Sequence, residues 1–476
     1  MQENLLKTLF ESYTGLIPED IAELPSSGSN RRYFRIKSGS VQLIGVIGTS
    51  LRENKVFIGL DRHFMEKGIP VPKVLAVSED CRAYLQEDLG EKTLFDMLAP
   101  GREKGEYSPD EKAMLRQAIA ELPRLQFLGA EGLDWEKDCL YPSMDGRMID
   151  FDLNYFKYCF LKASGLEFDE VALQEDFERL KSSLLKIESK AFMHRDFQAR
   201  NIMMHGGRPW IIDFQGGRRG PIYYDVASFV YQARSRFPES LKQELLKTYL
   251  GALQSYRPIE EKQFMEELRL FVLFRTLQVL GAYGFRGYFE KKPHFIASVP
   301  YAMENLRTLL ETPFSEYPYL NGILGALSRL PQFNRQESPK EEGLLVHIYS
   351  FSYKKGIPED SSPNGGGYVF DCRSIHNPGR YPCYRQLSGM DEEVIRFLEE
   401  NGEAAVFLES VFKLADAHVK RYLERNFTHL QICFGCTGGR HRSVYCAEQL
   451  AAHLAKNFNV KVLLTHREMK VEKTLR

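Results

Sequence analysis

Between Met193 and Gln215 the chain reads MHRDFQARNIMMHGGRPWIIDFQ, and the order of its polar groups suits few folds. Asp196 lies two residues after His194, Asn201 follows five residues later, and the apolar run Trp210-Ile211-Ile212 ends in Asp213. A carboxylate beside a histidine on a tight loop can orient and deprotonate a hydroxyl, while an amide and a second carboxylate on adjacent strands can hold Mg2+ against nucleotide phosphates. Phosphoryl transfer needs that set, because the migrating group is anionic and calls for metal-borne charge and a positioned acceptor. Taken singly, each Asp or Asn has the plainer role of closing a turn. As an ordered set leading into an apolar strand, the phosphate-transfer reading prevails.

The 476 residues are 43% hydrophobic and 27% charged, enough for a sizeable core and for about two to four domains. With 63 Lys and Arg against 64 Asp and Glu, no overall field favours a polyanion. The N-terminus, MQENLLKTLFESYTG, does not read as a signal peptide, and no stretch approaches roughly 20 uninterrupted apolar residues, so a soluble cytoplasmic protein without a membrane partner is expected. Eight cysteines in so long a chain are read as thiols.

Residues 31–50 are rich in Val, Ile, Tyr and Phe around Gly and Ser and predict a hairpin; a helix at about 54–67 and a strand near 83–87 would complete a small lobe over 1–90. Helical spacing dominates residues 91–330, around the stretch quoted above. The segment PQFNRQESPKEEG, 331–343, is the linker candidate. Beyond it LLVHIYSF, YVFDCRS, HLQICFG and KVLLTHRE read as buried strands between helical runs, which predicts a compact α/β domain over 344–476.

The motifs HRDFQARN, IIDFQ and RRYFRI resemble the aminoglycoside phosphotransferase and choline kinase family, over about residues 20–325, and within it the AmgK-type kinases of N-acetylmuramate and N-acetylglucosamine. The resemblance implies a protein-kinase-like two-lobed fold, ATP and Mg2+ as cofactors, and transfer to a sugar hydroxyl, at C1 in the amino-sugar kinases. It makes Asp196 the catalytic base, gives Asn201 and Asp213 to Mg2+, and has His194 and Asp225 support the loop. SSGSNRRYFRI becomes the nucleotide-covering loop, with Ser27, Gly28, Ser29, Arg32 and Arg35, and LQEDLG the adenine hinge, with Glu87 and Leu89. One departure matters. The third strand, VQLIGVIGTS, lacks the Lys that kinases of this fold pair with a helix Glu. Arg32, Arg35 or Lys37 on the preceding strand are the candidate replacements.

A second site is written in ICFGCTGGRHRSVYCAEQL, where an apolar strand runs into glycines and then a helix near Ser443. Amides at a helix start, close-approaching glycines and arginines make an anion site. The spacing of Cys436 and Arg442 also fits a cysteine-dependent phosphatase, although a His before the Cys and an evident Asp acid are absent. Four ordered motifs, SFSYKKGIP, YVFDCRSIHNP, RQLSGMDEEV and GCTGGRHRSV, resemble the C-terminal domain of the RapZ adapter family. That resemblance implies a site for a phosphorylated amino sugar, built from Lys354, Arg373, Cys436, Thr437, Gly438, Gly439, His441, Arg442 and Ser443, and a contribution to RNA binding. Eighteen Lys and Arg against fifteen Asp and Glu over 344–476 form only a slight basic surplus for an RNA partner.

The expectation is an amino-sugar kinase, a kinase-like fold followed by a RapZ-like α/β domain that binds a phosphorylated amino sugar. A metabolite-sensing regulator or RNA adapter with a secondary kinase domain, and a paired kinase and Cys-dependent phosphatase, are the alternatives.

Overall fold

A computed structural model describes residues 2–24, 31–334, 343–360, 366–425 and 427–475. The chain divides into two compact units, residues 1–335 and 336–476, each with its own apolar core.

The first unit opens with helix α1 (Gln2–Thr14) and a five-stranded antiparallel sheet: β1 (Asp20–Glu23), β2 (Arg32–Ser38), β3 (Val41–Ile47), β4 (Val74–Val77) and β5 (Ala83–Glu87), in the order β1-β2-β3-β5-β4. The anticipated hairpin is β2–β3, turned at Gly39, whose φ of 55° falls where glycine is unstrained. The helix expected at 54–67 is α2 (Leu51–Glu66), started earlier by Ser50, whose hydroxyl accepts from the amide of Glu53 at 3.3 Å. Leu6 and Phe10 of α1 pack on Phe34, Ile36 and Leu43. Neither α1 nor the short, largely exposed β1 was anticipated, since four mostly exposed residues carry little periodic signal.

The larger lobe is helical, with two small two-stranded sheets that carry the motif residues: β6 (Ala191–Met193) pairs with β9 (Arg218–Gly220), and between them in sequence β7 (Ile202–His205) forms a hairpin with β8 (Arg208–Ile211). Its spine is the helix Glu261–Gly284, which meets the end of Gly146–Phe156 through Gly281 and the π-helical turn Lys157–Leu161 through Gly284. The stretch Glu261–Phe289 is long and apolar enough to cross a membrane by length and composition, but it supplies much of this unit's core, including Phe271, Phe274 and Leu277.

The second unit is a sheet of β10 (Leu345–Ser352), β11 (Gly367–Asp371), β12 (His429–Cys436), β13 (Lys461–His466) and β14 (Val471–Leu475), in the order β11-β12-β10-β13-β14. The first four run parallel, as four apolar strand runs separated by helices suggested; β14, built from the polar tail, adds an antiparallel edge. The long helical run is two helices, Glu392–Glu400 and Glu403–Glu424, separated at Gly402 with φ of 71°.

Candidate functional site

His194, Asp196, Asn201 and Asp213 come together because the β7–β8 hairpin brings Ile212 back against both Asn201 and His194. Asn201 closes the loop: its amide donates to the Asp196 carbonyl at 2.8 Å, and its own carbonyl receives the Ile212 N–H at 3.1 Å. Its side-chain oxygen keeps its acceptor capacity, since only the NH2 is spent inside the loop. His194 lies buried, with Nε2 against the Ile212 carbonyl at 3.0 Å, and Nδ1 receives the Asp196 amide at 3.3 Å. The histidine therefore shapes the loop and does not face a substrate. Asp225, fully buried, accepts the amides of His194 at 2.6 Å and Arg195 at 2.9 Å, and burial pushes its carboxyl up to about 6 despite those donors. Arg195 and Asp213 occupy the left-handed region, at φ of 75° and 64°, a backbone cost found where a fold fixes chemistry in place.

Asp196 has 44% of its side chain exposed and receives Arg275 Nη2 at 3.2 Å. Partial enclosure raises its pKa, but Arg275, Arg200 and Arg195 outweigh this and hold the carboxyl below its usual range. Asp213 accepts from Gln215 Nε2 at 2.8 Å through one oxygen, leaving the other as a hard oxygen donor beside Asn201. An amide oxygen and a carboxylate oxygen suit a small divalent cation that keeps waters and phosphate oxygens as its remaining ligands.

The cation that pairs with the α2 glutamate is none of the three expected. Arg31 lies 2% exposed, its Nε 3.2 Å from Glu53 Oε1 and its Nη2 donating to the Glu53 carbonyl at 3.2 Å, with its guanidinium over Phe57. Neighbouring Tyr33 lies within electrostatic reach of both Arg31 and Asp213. Arg32 instead forms a bidentate exposed pair with Glu23. Arg35 grips Asp88 at 2.6 and 3.1 Å and the Gly90 carbonyl at 2.8 Å, so it braces the hinge. Lys37 is exposed. RRYFRI held the answer, but which arginine meets the helix depends on how α2 packs. Glu87 is taken up by the Lys73 amide at 3.0 Å; Leu89 is 9% exposed and its backbone joins no protein hydrogen bond among the described residues. Ser27, Gly28 and Ser29 lie outside the described residues.

In the second unit, parallel register sets Ser352 beside Cys436 and Asp371 beside Gly435, so three strand ends converge where α/β sheets usually bind ligands. Cys436 sits at the base of the 436–443 loop. Burial raises its thiol, but the Ser443 hydroxyl at 3.1 Å and the amides of Ser443, Gly439 and Gly438 outweigh this and hold it below the ordinary thiol range. Thr437 and Gly438 are exposed, and position 439 favours glycine twice over: its φ is 64°, and a Cβ there would lie 2.8 Å from the Ser352 amide nitrogen. Arg442, expected to face the ligand, points elsewhere: its Nη1 donates to the carbonyls of Arg373 at 3.0 Å and Ile375 at 2.8 Å, and it is 5% exposed. Only Nη1 is engaged in this way; the buried Nε has no hydrogen-bond partner among the described residues. His441 Nε2 likewise meets the Tyr384 carbonyl at 2.9 Å, and Arg373 folds back on Asp371. Lys354 is exposed. All eight cysteines are free thiols, as expected.

A loop that presents a carboxylate base, an amide and a second carboxylate beside a cation–glutamate pair defines a phosphotransferase acting on a hydroxyl acceptor, using ATP and a divalent metal. Residues 20–260 match the phosphotransferase enzyme family, and the chain belongs to it; residues 344–470 match the RapZ C-terminal domain. The N-acetylmuramate/N-acetylglucosamine kinase of Pseudomonas aeruginosa is 26% identical over 340 residues, 69% of this chain and 95% of that one. A nucleotide-binding protein of Acidobacterium capsulatum is 30% identical over 240 residues, 50% of this chain and 71% of that one. One from Nitrosococcus oceani is 38% identical over 127 residues, and the chain spans 43% of its length; several such relatives are covered over less than half. Among solved structures, a choline/ethanolamine kinase family protein from Mesorhizobium loti aligns with a TM-score of 0.43 at 16% identity, over 68% of this chain and 98% of that one.

Proposed function

We propose that the chain is an Mg2+-dependent amino-sugar kinase that phosphorylates N-acetylmuramate or N-acetylglucosamine at C1. The observation that carries this reading is Asp196, fixed on a rigid loop, ionised by Arg275 and opening toward solvent beside Asn201 and Asp213. Asp196 accepts the acceptor proton as the hydroxyl attacks the terminal phosphorus of ATP and the bond to the departing ADP oxygen breaks, Asn201 and Asp213 would hold the Mg2+, and His194 and Asp225 keep the loop in place. The metal supplies charge neutralisation at the phosphates. Arg31 takes the place of the missing third-strand Lys, and the unpaired Leu89 backbone receives the adenine edge. The likeness to a kinase named for these two sugars supports the acceptor class. NMR of the product formed from ATP and either sugar tests it: phosphate on C1 is expected, and phosphate on O6, or no transfer to either sugar, would overturn it.

At the second site, the 437–443 cradle, whose Gly438, Gly439 and Ser443 amides turn inward on Cys436 Sγ, receives the phosphate of a phosphorylated amino sugar. The buried position of Cys436, only 3% exposed, and the engagement of Arg442 by carbonyls favour this cradle over a nucleophilic cysteine. Calorimetry of the full chain with glucosamine-6-phosphate tests it; absence of binding, or release of inorganic phosphate, would contradict it.

A further inference from the structure

A cavity of about 340 Å³ opens beside the catalytic loop. Its wall carries Arg200 of that loop, Arg234, Arg275 of the core helix, and Arg286, Lys292 and His294 beyond it, and no Asp or Glu lines it among the described residues. The acids nearest these cations answer few of them. Asp196 takes Arg275 at 3.2 Å, and Glu290 is shared by Lys292 at 2.8 Å and Arg286 at 3.5 Å. Arg200 and Arg234 are exposed and form no ion pair among the described residues. At His294 partial enclosure first, and then the charges of Arg234, Lys292 and Arg286, push the imidazole pKa down.

Bringing like charges to one partly enclosed space costs free energy that an entering anion would offset, through charge-assisted hydrogen bonds stronger than those a neutral hydroxyl makes. Nucleotide phosphate does not account for the wall. The lining runs from Phe95 onward, so none of it comes from the β1–β5 sheet against which the kinase reading places the nucleotide. The cavity therefore lies on the acceptor side of Asp196.

We propose that this cavity selects an acceptor carrying an oxyanion, a carboxylate or a phosphate, at a distance from the hydroxyl that is phosphorylated. The inference rests on the kinase reading above and narrows it. N-acetylmuramate and N-acetylglucosamine form a matched pair for this purpose, since the first adds only a lactyl ether ending in a carboxylate. Its methyl ester keeps the bulk without the charge, and N-acetylglucosamine-6-phosphate supplies the phosphate arm.

The test is kcat/KM with ATP and Mg2+ for these four sugars, and their affinities by calorimetry, in the full chain and in Arg234→Gln and Lys292→Gln. A carboxylate or phosphate sugar should exceed the neutral one by about tenfold or more, as sites built for a polar group discriminate. The ester should fall to the neutral level, and each variant should shrink the ratio. The better of the two anionic sugars identifies the oxyanion. Equal rates and affinities for acid and ester, with no advantage for the phosphate sugar, would overturn the inference. If no sugar is phosphorylated while an anionic one still binds in an Arg234-dependent way, the amino-sugar kinase reading fails and the anion cavity stands.

Discussion

Arg275 touches Asp196 and is itself 6% exposed, so its charge is held directly against a carboxylate that stays 44% open to solvent. With the cation present, Asp196 stays ionised at neutral pH and takes up a proton only below the ordinary carboxylate value of about 3.9. Arg275→Gln removes the attraction and leaves the enclosure, so the acid limb of kcat/KM should move to higher pH; an unmoved limb would separate Asp196 from that ionisation. Arg31 makes a second prediction. If it holds the ATP phosphates, Arg31→Ala should raise KM for ATP by about tenfold or more, the range for loss of hydrogen bonds to a charged group, and steady-state kinetics at varied ATP would read it. Asp196, Asn201 and Asp213 were legible because a five-residue loop and a strand end fix their spacing locally. Arg31 was not, since its pairing with Glu53 depends on how α2 lies against the sheet. Arg442 was misplaced for the same kind of reason: the carbonyls of Arg373 and Ile375 that hold it come from another part of the chain.

The helix Glu261–Gly284 carries Arg275, and its position is set by close backbone contact. At Gly284 a Cβ would lie 2.2 Å from the Cys159 carbonyl oxygen, and at Gly281 one would lie 2.8 Å from the Phe156 amide nitrogen. No rotamer relieves a clash with backbone. Gly284→Val should therefore cost about 1–3 kcal/mol or more, as overpacking does, seen as a lowered denaturation midpoint of the first unit; an unchanged midpoint would mean the two helices separate freely. Strong patterns made the elements readable: the β2–β3 hairpin and four strands of the second unit lie where alternation and apolar runs put them, although β11, expected to be buried, is a half-exposed edge strand. The weak ones, β1, β4 and β14, are short or polar edge strands whose pairing comes from neighbours and not from their own pattern.

Across the whole chain, near-equal numbers of acidic and basic residues conceal a local surplus of cations around one cavity. Those cations come from segments almost a hundred residues apart, from Arg200 to Lys292, so only the fold assembles them. The division into two units was more accessible, because a proline-bearing, apolar-poor segment separates two self-sufficient apolar patterns. What unites the account is transfer of phosphate by the Asp196 loop. The most direct measurement is turnover and nucleotide affinity of Asp196→Asn beside the wild type, with ATP, Mg2+ and N-acetylmuramate. The account predicts a kcat at least about a hundredfold lower, the usual cost of a lost general base, with ATP affinity retained; turnover near the wild-type rate would contradict it.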